Sequence, residues 1–143
     1  MKLIRYLVLS MAANLLLAGV ARADLNSAYV KEIVAGNSQF ALDLYARLRT
    51  GEGNVFFSPY SISAALAMTY AGAKRETADQ MARVLHFTGP FSAVHPAFSE
   101  LENHLNAIQE TKEVQLAVAN SLWPQIGFEF LPHYLALCKQ NYG

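Results

Sequence analysis

A helix that is apolar on nearly every side governs what this chain can fold into. After Ser58-Pro59, the residues Ile62, Ala65, Leu66, Met68, Thr69 and Tyr70 continue a helix whose remaining positions are mostly alanine. Such a helix has no face to leave in water, so the rest of the fold must wrap it. Serine caps a helix and proline fits its first turn, which places the start at this pair. Gly72 supplies the stop. Just upstream, Val55-Phe56-Phe57 is a short continuous apolar run that reads as a strand buried on both faces. A buried central helix implies a body larger than a small bundle, yet the chain has 143 residues, room for one domain.

The flanking segments are periodic too. Val30, Ile33, Val34, Phe40, Ala41, Leu44 and Leu48 make one face of a first helix, with Asn37 its single polar interruption. The turn Thr50 to Asn54 ends it. A third helix spans about Glu76 to Leu85, with Ala78, Met81, Val84 and Leu85 inward. Thr88-Gly89-Pro90 breaks the chain before a fourth helix carrying Phe98, Leu101, Leu105 and Ile108. Val114, Leu116, Val118 and Asn120 alternate with Gln115, Ala117, Ala119 and Ser121 along a second strand. Phe130, Tyr134, Leu137 and Cys138 share the face of a last helix, with Pro132 in its first turn. The class is α+β, with an order of helix, strand, three helices, strand, helix. The two strands lie far apart in sequence, and each needs neighbours that the pattern does not provide.

The first residues read as a targeting segment. Lys2 and Arg5 precede a mostly apolar stretch from Tyr6 to Val20, and Ala21-Arg22-Ala23 offers small residues where a signal peptidase cuts. The alternative is a retained anchor, for which the apolar run is short and interrupted. Cleavage after Ala23 removes three cations from a chain balanced at 11 cations and 11 anions, so the mature chain is mildly acidic. The expectation is a signal peptide over 1–23 and a secreted domain over 24–143, extracellular or, in a two-membrane bacterium, periplasmic, with no membrane contact after cleavage. Without a basic surplus, nucleic-acid binding has no electrostatic support.

Catalytic patterns are missing. The lone Cys138 excludes an internal disulfide and a thiolate zinc cluster, and it reads as a buried structural thiol. His86, His95, His104 and His133 have no metal-ligand spacing and read as surface or partly buried side chains. Glu100 and Glu102 point in different directions along a helix and read as a solvated face. No cofactor, metal or catalytic residue is expected, and the chain is not expected to be an enzyme. Ser58, Ser61 and Ser63 are the exception in interest. At the junction of an apolar strand and an apolar helix they should be largely buried. Either their hydroxyls form a local hydrogen-bond network, or Ser58 alone caps the helix.

The block Asn54-Val55-Phe56-Phe57-Ser58-Pro59-Tyr60-Ser61-Ile62-Ser63-Ala64-Ala65-Leu66-Ala67-Met68 closely resembles the signature of the serpins. The likeness continues through Gly72-Ala73, Glu76 to Met81, Val84 to Phe87, Leu116 to Trp123 and Tyr142-Gly143. The resemblance implies helices A to E, strand 6 of sheet B at Val55–Phe57, and strand 2 of sheet A at Val114–Trp123. It implies that Ser58, Pro59, Ser61 and Asn120 belong to the family's shutter, beneath the place where sheet A opens. It also implies suicide inhibition of serine proteases: a reactive loop is cleaved, acylates the protease and inserts into sheet A.

The departures from the family matter as much. Nothing in the sequence resembles the reactive loop or its hinge, which lie near the end of a chain well over twice this length. No reactive centre is therefore assigned, and a serine protease is a partner of the full-length parent only. This chain is expected to be the N-terminal portion of a serpin, a fragment that does not inhibit by itself. The other expectation is a stand-alone secreted helical binding module, or a non-inhibitory serpin remnant, acting through a protein partner. Arg75 stands where many members have glycine. Glu100, Glu102 and Glu110 make the fourth helix acidic, so heparin is not an expected ligand.

Overall fold

The computed structural model describes residues 28–51, 53–109, 120–123 and 125–143. The targeting segment and most of the second strand, residues 114–119, lie outside the described residues. Among the described residues the chain forms five helices: α1 over 28–48, α2 Pro59–Tyr70, α3 Arg75–Val84, α4 Phe91–Gln109 and α5 Pro132–Tyr142.

The start of α2 is set by its cap. Ser58 is extended, at φ −103° and ψ 104°, Pro59 occupies the first turn, and the Ser61 amide donates to Ser58 Oγ. At the other end the Ala71 amide bonds the Ala67 carbonyl at 3.1 Å and Gly72 the Thr69 carbonyl at 3.1 Å. Ser63, Ala64, Ala67, Met68 and Tyr70 are buried. The expected all-round burial is not found, because Leu66 is 37% exposed and Thr69 is exposed as well. Residues 64, 67, 68 and 71 make one stripe, covered by the other helices. On the opposite side Leu66 is exposed, Ile62 is half-buried against the core, and Thr69 borders a groove with Phe130 and Tyr134.

Helix α3 ends in a reversal. Phe87 N–H bonds the Ala82 carbonyl at 2.9 Å and His86 N–H the Arg83 carbonyl at 3.4 Å, with His86 left-handed at φ 55°. These are the paired bonds of a Schellman stop, with histidine where glycine is usual. Leu85 and Phe87 are carried into the core, at 1% and 8% exposure. Val84, expected inward, is 63% exposed. The inward stripe is Ala78, Met81, Ala82 and Leu85; at 100° per residue Val84 falls roughly a third of a turn off it.

Helix α4 is longer than its expected apolar face suggested. It contains Pro96 internally and buries Val94, His95, Ala97 and Phe98. Helix α5 starts at Pro132 as expected and buries Cys138, Asn141 and Tyr142. Phe130 stacks on Tyr134, at 5.8 Å between centroids. The first helix buries Ile33 and Phe40, while Val34 and Leu48, expected on the same face, are 45% and 43% exposed.

An aromatic cluster holds the helices together. Tyr70 of α2 lies 5.4 Å from Phe87 and 5.1 Å from Phe91, and Phe98 of α4 lies 5.7 Å from Phe87 and 6.0 Å from Tyr142. Tilted and edge-on pairs at these distances are favourable beyond simple burial.

No β-strand occurs among the described residues. Residues 54–58 have no regular structure, Phe56 is fully exposed and Val55 is 38% exposed. The expected burial on both faces is thereby corrected. A strand is stabilised by the ladder it joins, and no described segment lies beside this one. Residues 120–123 are likewise irregular.

Candidate functional site

Of the residues singled out from sequence, the structure joins two serines. Ser58 Oγ donates to Ser61 Oγ at 2.9 Å and accepts from the Ser61 amide at 3.3 Å. One hydroxyl thus does both jobs that had been left open, capping α2 and bonding a neighbouring serine. Contrary to expectation Ser58 is exposed and Ser61 only half-buried, although Tyr60 beside them packs on Phe98 of α4. Ser63 is fully buried, and its Oγ has no hydrogen-bond partner among the described residues. Asn120 is half-buried and is not hydrogen-bonded to either paired serine.

The histidines separate. His104 and His133 are exposed. His86 Nε2 lies 2.8 Å from Asp43 Oδ2, at the rim of a groove of about 600 Å³ between α1 and α3, lined also by Phe40, Leu44, Arg47 and Arg83. His95 is the one the sequence reading misplaced. It is 2% exposed, fully buried rather than at the surface or partly buried, and its Nδ1 lies 2.8 Å from Tyr142 Oη. Burial lowers its pKa from 6.5 to about 4 and pushes the Tyr142 hydroxyl well above the usual phenol range. The signal was present in the sequence: Phe91, Val94, His95 and Phe98 follow helical spacing. Thr88-Gly89-Pro90, read as a break, drew attention away from the first turns of this helix.

Cys138 is buried and free, as expected of a structural thiol. Burial raises its pKa, and a hydrogen bond with Tyr134 only partly opposes that shift. A thiol held protonated in this way is a poor nucleophile. A second groove, of about 370 Å³, opens among Thr69, Gly72, Lys74, Phe128, Phe130 and Tyr134. No group of three or more ligating side chains that could hold a metal occurs among the described residues. No helix among them is long and apolar enough to cross a membrane.

What these residues supply is therefore a helical scaffold with one capped, half-covered central helix, and comparison with known proteins agrees. The model of the serpin (serine protease inhibitor) family matches residues 35–143. Leukocyte elastase inhibitor of Bos taurus is 37% identical over 116 residues, covering 80% of this chain and 30% of the relative. The mouse leukocyte elastase inhibitor A is 36% identical over the same span. An uncharacterised serpin-like protein of Thermococcus kodakarensis is 38% identical over 112 residues, 78% of this chain and 26% of its own length. The chain belongs to the serpin family. It spans about 30% of the length of the curated relatives it matches, and two of these carry names that make them inhibitors of an enzyme rather than enzymes themselves.

Proposed function

We propose that this chain supplies the N-terminal helical part of a secreted serpin-type inhibitor of serine proteases. The observation that carries the reading is the Ser58-Pro59 junction at the head of α2, with one side of that helix packed and the other open. Leu66, Thr69 and the fully exposed Phe56 mark surfaces that an aqueous protein covers at a gain of about 25 cal/mol per Å2 of apolar area. In this reading sheet A covers α2 and sheet B takes up Val55–Phe57 as its strand 6. Residues 114–123 then provide strand 2 of sheet A. Ser58, Pro59, Ser61 and Asn120 form the shutter once sheet A lies over them. The α1–α5 set corresponds to helices A to E.

In such an inhibitor the scissile bond belongs to a reactive loop, and these 143 residues hold no segment like it. Residues 24–143 therefore do not inhibit alone. Residues 1–23 act as the export signal, supported by their basic start, apolar stretch and Ala21-Arg22-Ala23 site. The acidic Glu100 and Glu102 on α4 argue against heparin as an activator, and no cofactor is required. Incubating residues 24–143 with trypsin-, chymotrypsin- and elastase-type proteases should give no SDS-stable complex. A covalent complex formed by this segment alone would overturn the reading.

One observation favours a second reading, of a helical binding module or non-inhibitory remnant acting through a protein partner. The aromatic cluster of α2, α4 and α5 closes within these residues. A cooperative thermal transition and a single monomeric sedimenting species would support that module. Aggregation would support the partial domain.

A further inference from the structure

His95 sits at the contact between α4 and α5 with one ring nitrogen bonded and the other bare. Nδ1 meets Tyr142 Oη at 2.8 Å, while Nε2 is buried without a partner among the described residues. Three rings enclose the imidazole: Tyr70 of α2 at 5.9 Å, Phe91 of α4 at 4.9 Å and Tyr142 of α5 at 6.0 Å. We propose that His95 is an acid-operated latch, whose protonation releases α5 from α4.

Neutral imidazole carries one N–H and one lone pair; with Nδ1–H donating to Tyr142 Oη, only an uncharged lone pair on Nε2 goes without a partner among the described residues. Imidazolium carries two N–H donors. Tyr142 Oη can accept one, while the second, on Nε2, is left as a charged donor among carbon atoms. An unpaired buried charge is among the most costly groups a fold can hold.

Among the described residues the surroundings offer no counter-charge. From α2, Tyr70 is held neutral by burial and by the field of Asp79 on α3. From α5, Tyr142 and Cys138 have raised pKa values, so neither supplies an anion at neutral or acid pH. On α4 itself Glu102 acts on Tyr142 and Tyr60, and burial raises its own pKa, which favours the neutral acid. Lys74 lies over the Phe91 ring at 5.6 Å and brings a like charge. Among the described residues no carboxylate pairs with His95.

The direction follows from linkage. The folded pKa lies near 4, below the ordinary 6.5. The stability that neutral His95 permits is complete above pH 6.5 and is lost as pH falls from 6.5 through about 4. Over that window the equilibrium between closed and released α5 shifts about tenfold per pH unit.

Cys138 makes the test direct. It is the only cysteine, it is buried, and it lies one turn before Tyr142 on α5. Its rate of reaction with 4,4′-dithiodipyridine, which reacts in acid, is measured on the full chain between about pH 7.5 and 4.5, each relative to the same chain in urea. The latch predicts protection that falls about tenfold per pH unit below the ordinary histidine range, and protection independent of pH in His95→Phe. Flat protection in the parent chain, or an equal fall in His95→Phe, would overturn it. Should the variant not fold, the imidazole titration of His95 by NMR in the parent chain decides. A midpoint below about 5 supports the latch, and one near the ordinary histidine value contradicts it.

Discussion

His86 Nε2 and Asp43 Oδ2 stand 2.8 Å apart, tying the turn after α3 to the body of α1. The pair is partly open to solvent, and such pairs contribute little, below about 1 kcal/mol. The backbone beneath it matters more. Gly36 of α1 is buried against the His86 carbonyl, and a Cβ there would collide with that oxygen. Gly36→Ala forces α1 off the end of α3 and should destabilise the chain by about 2 kcal/mol or more, whereas Asp43→Ala should cost less than about 1 kcal/mol. Urea unfolding of the two variants checks the order. Equal effects would mean that the His86–Asp43 contact, not the close approach, holds this corner.

Arg75 opens α3 at φ 51°, in the left-handed region. A side chain with a Cβ is strained there by roughly 1 kcal/mol relative to glycine. Arg75→Gly should therefore stabilise the chain by about that amount and raise its melting temperature. A drop in melting temperature would show that the arginine side chain makes an interaction outweighing the strain.

The two serine environments predict opposite results. Ser58→Ala removes the N-cap of α2 and should cost about 1 kcal/mol. Ser63→Ala removes a buried hydroxyl without a partner among the described residues and should be neutral or stabilising. The same pair of substitutions, read by thermal unfolding, distinguishes a capping serine from an orphaned one. If Ser63→Ala proves as costly as Ser58→Ala, its hydroxyl has a partner beyond these residues.

The elements most legible in the sequence were those governed by local chemistry. Ser58-Pro59 marked the head of α2, Pro132 the head of α5, and Cys138 its buried face, because caps, proline and short-range periodicity act within one or two turns. What was misread depends on neighbours. Val55-Phe56-Phe57 has the composition of a buried strand, but burial needs a ladder and a cover from elsewhere. Val84 was counted inward on apolar character alone, although its angular position leaves it outside. His95 was read as a surface or partly buried side chain, and its full burial was not legible because no local rule indicates that an imidazole will meet a tyrosine 47 residues away. Arg75 was flagged through the family likeness, and its left-handed backbone explains why glycine suits that position.

The proposed function makes this chain the helical part of a protease-inhibiting serpin. Its most direct test joins residues 24–143 to the C-terminal remainder of bovine leukocyte elastase inhibitor and incubates the chimera with elastase. The account predicts an SDS-stable covalent complex from the chimera and none from residues 24–143 alone. A soluble, folded chimera that elastase only cleaves, without forming that complex, would contradict it.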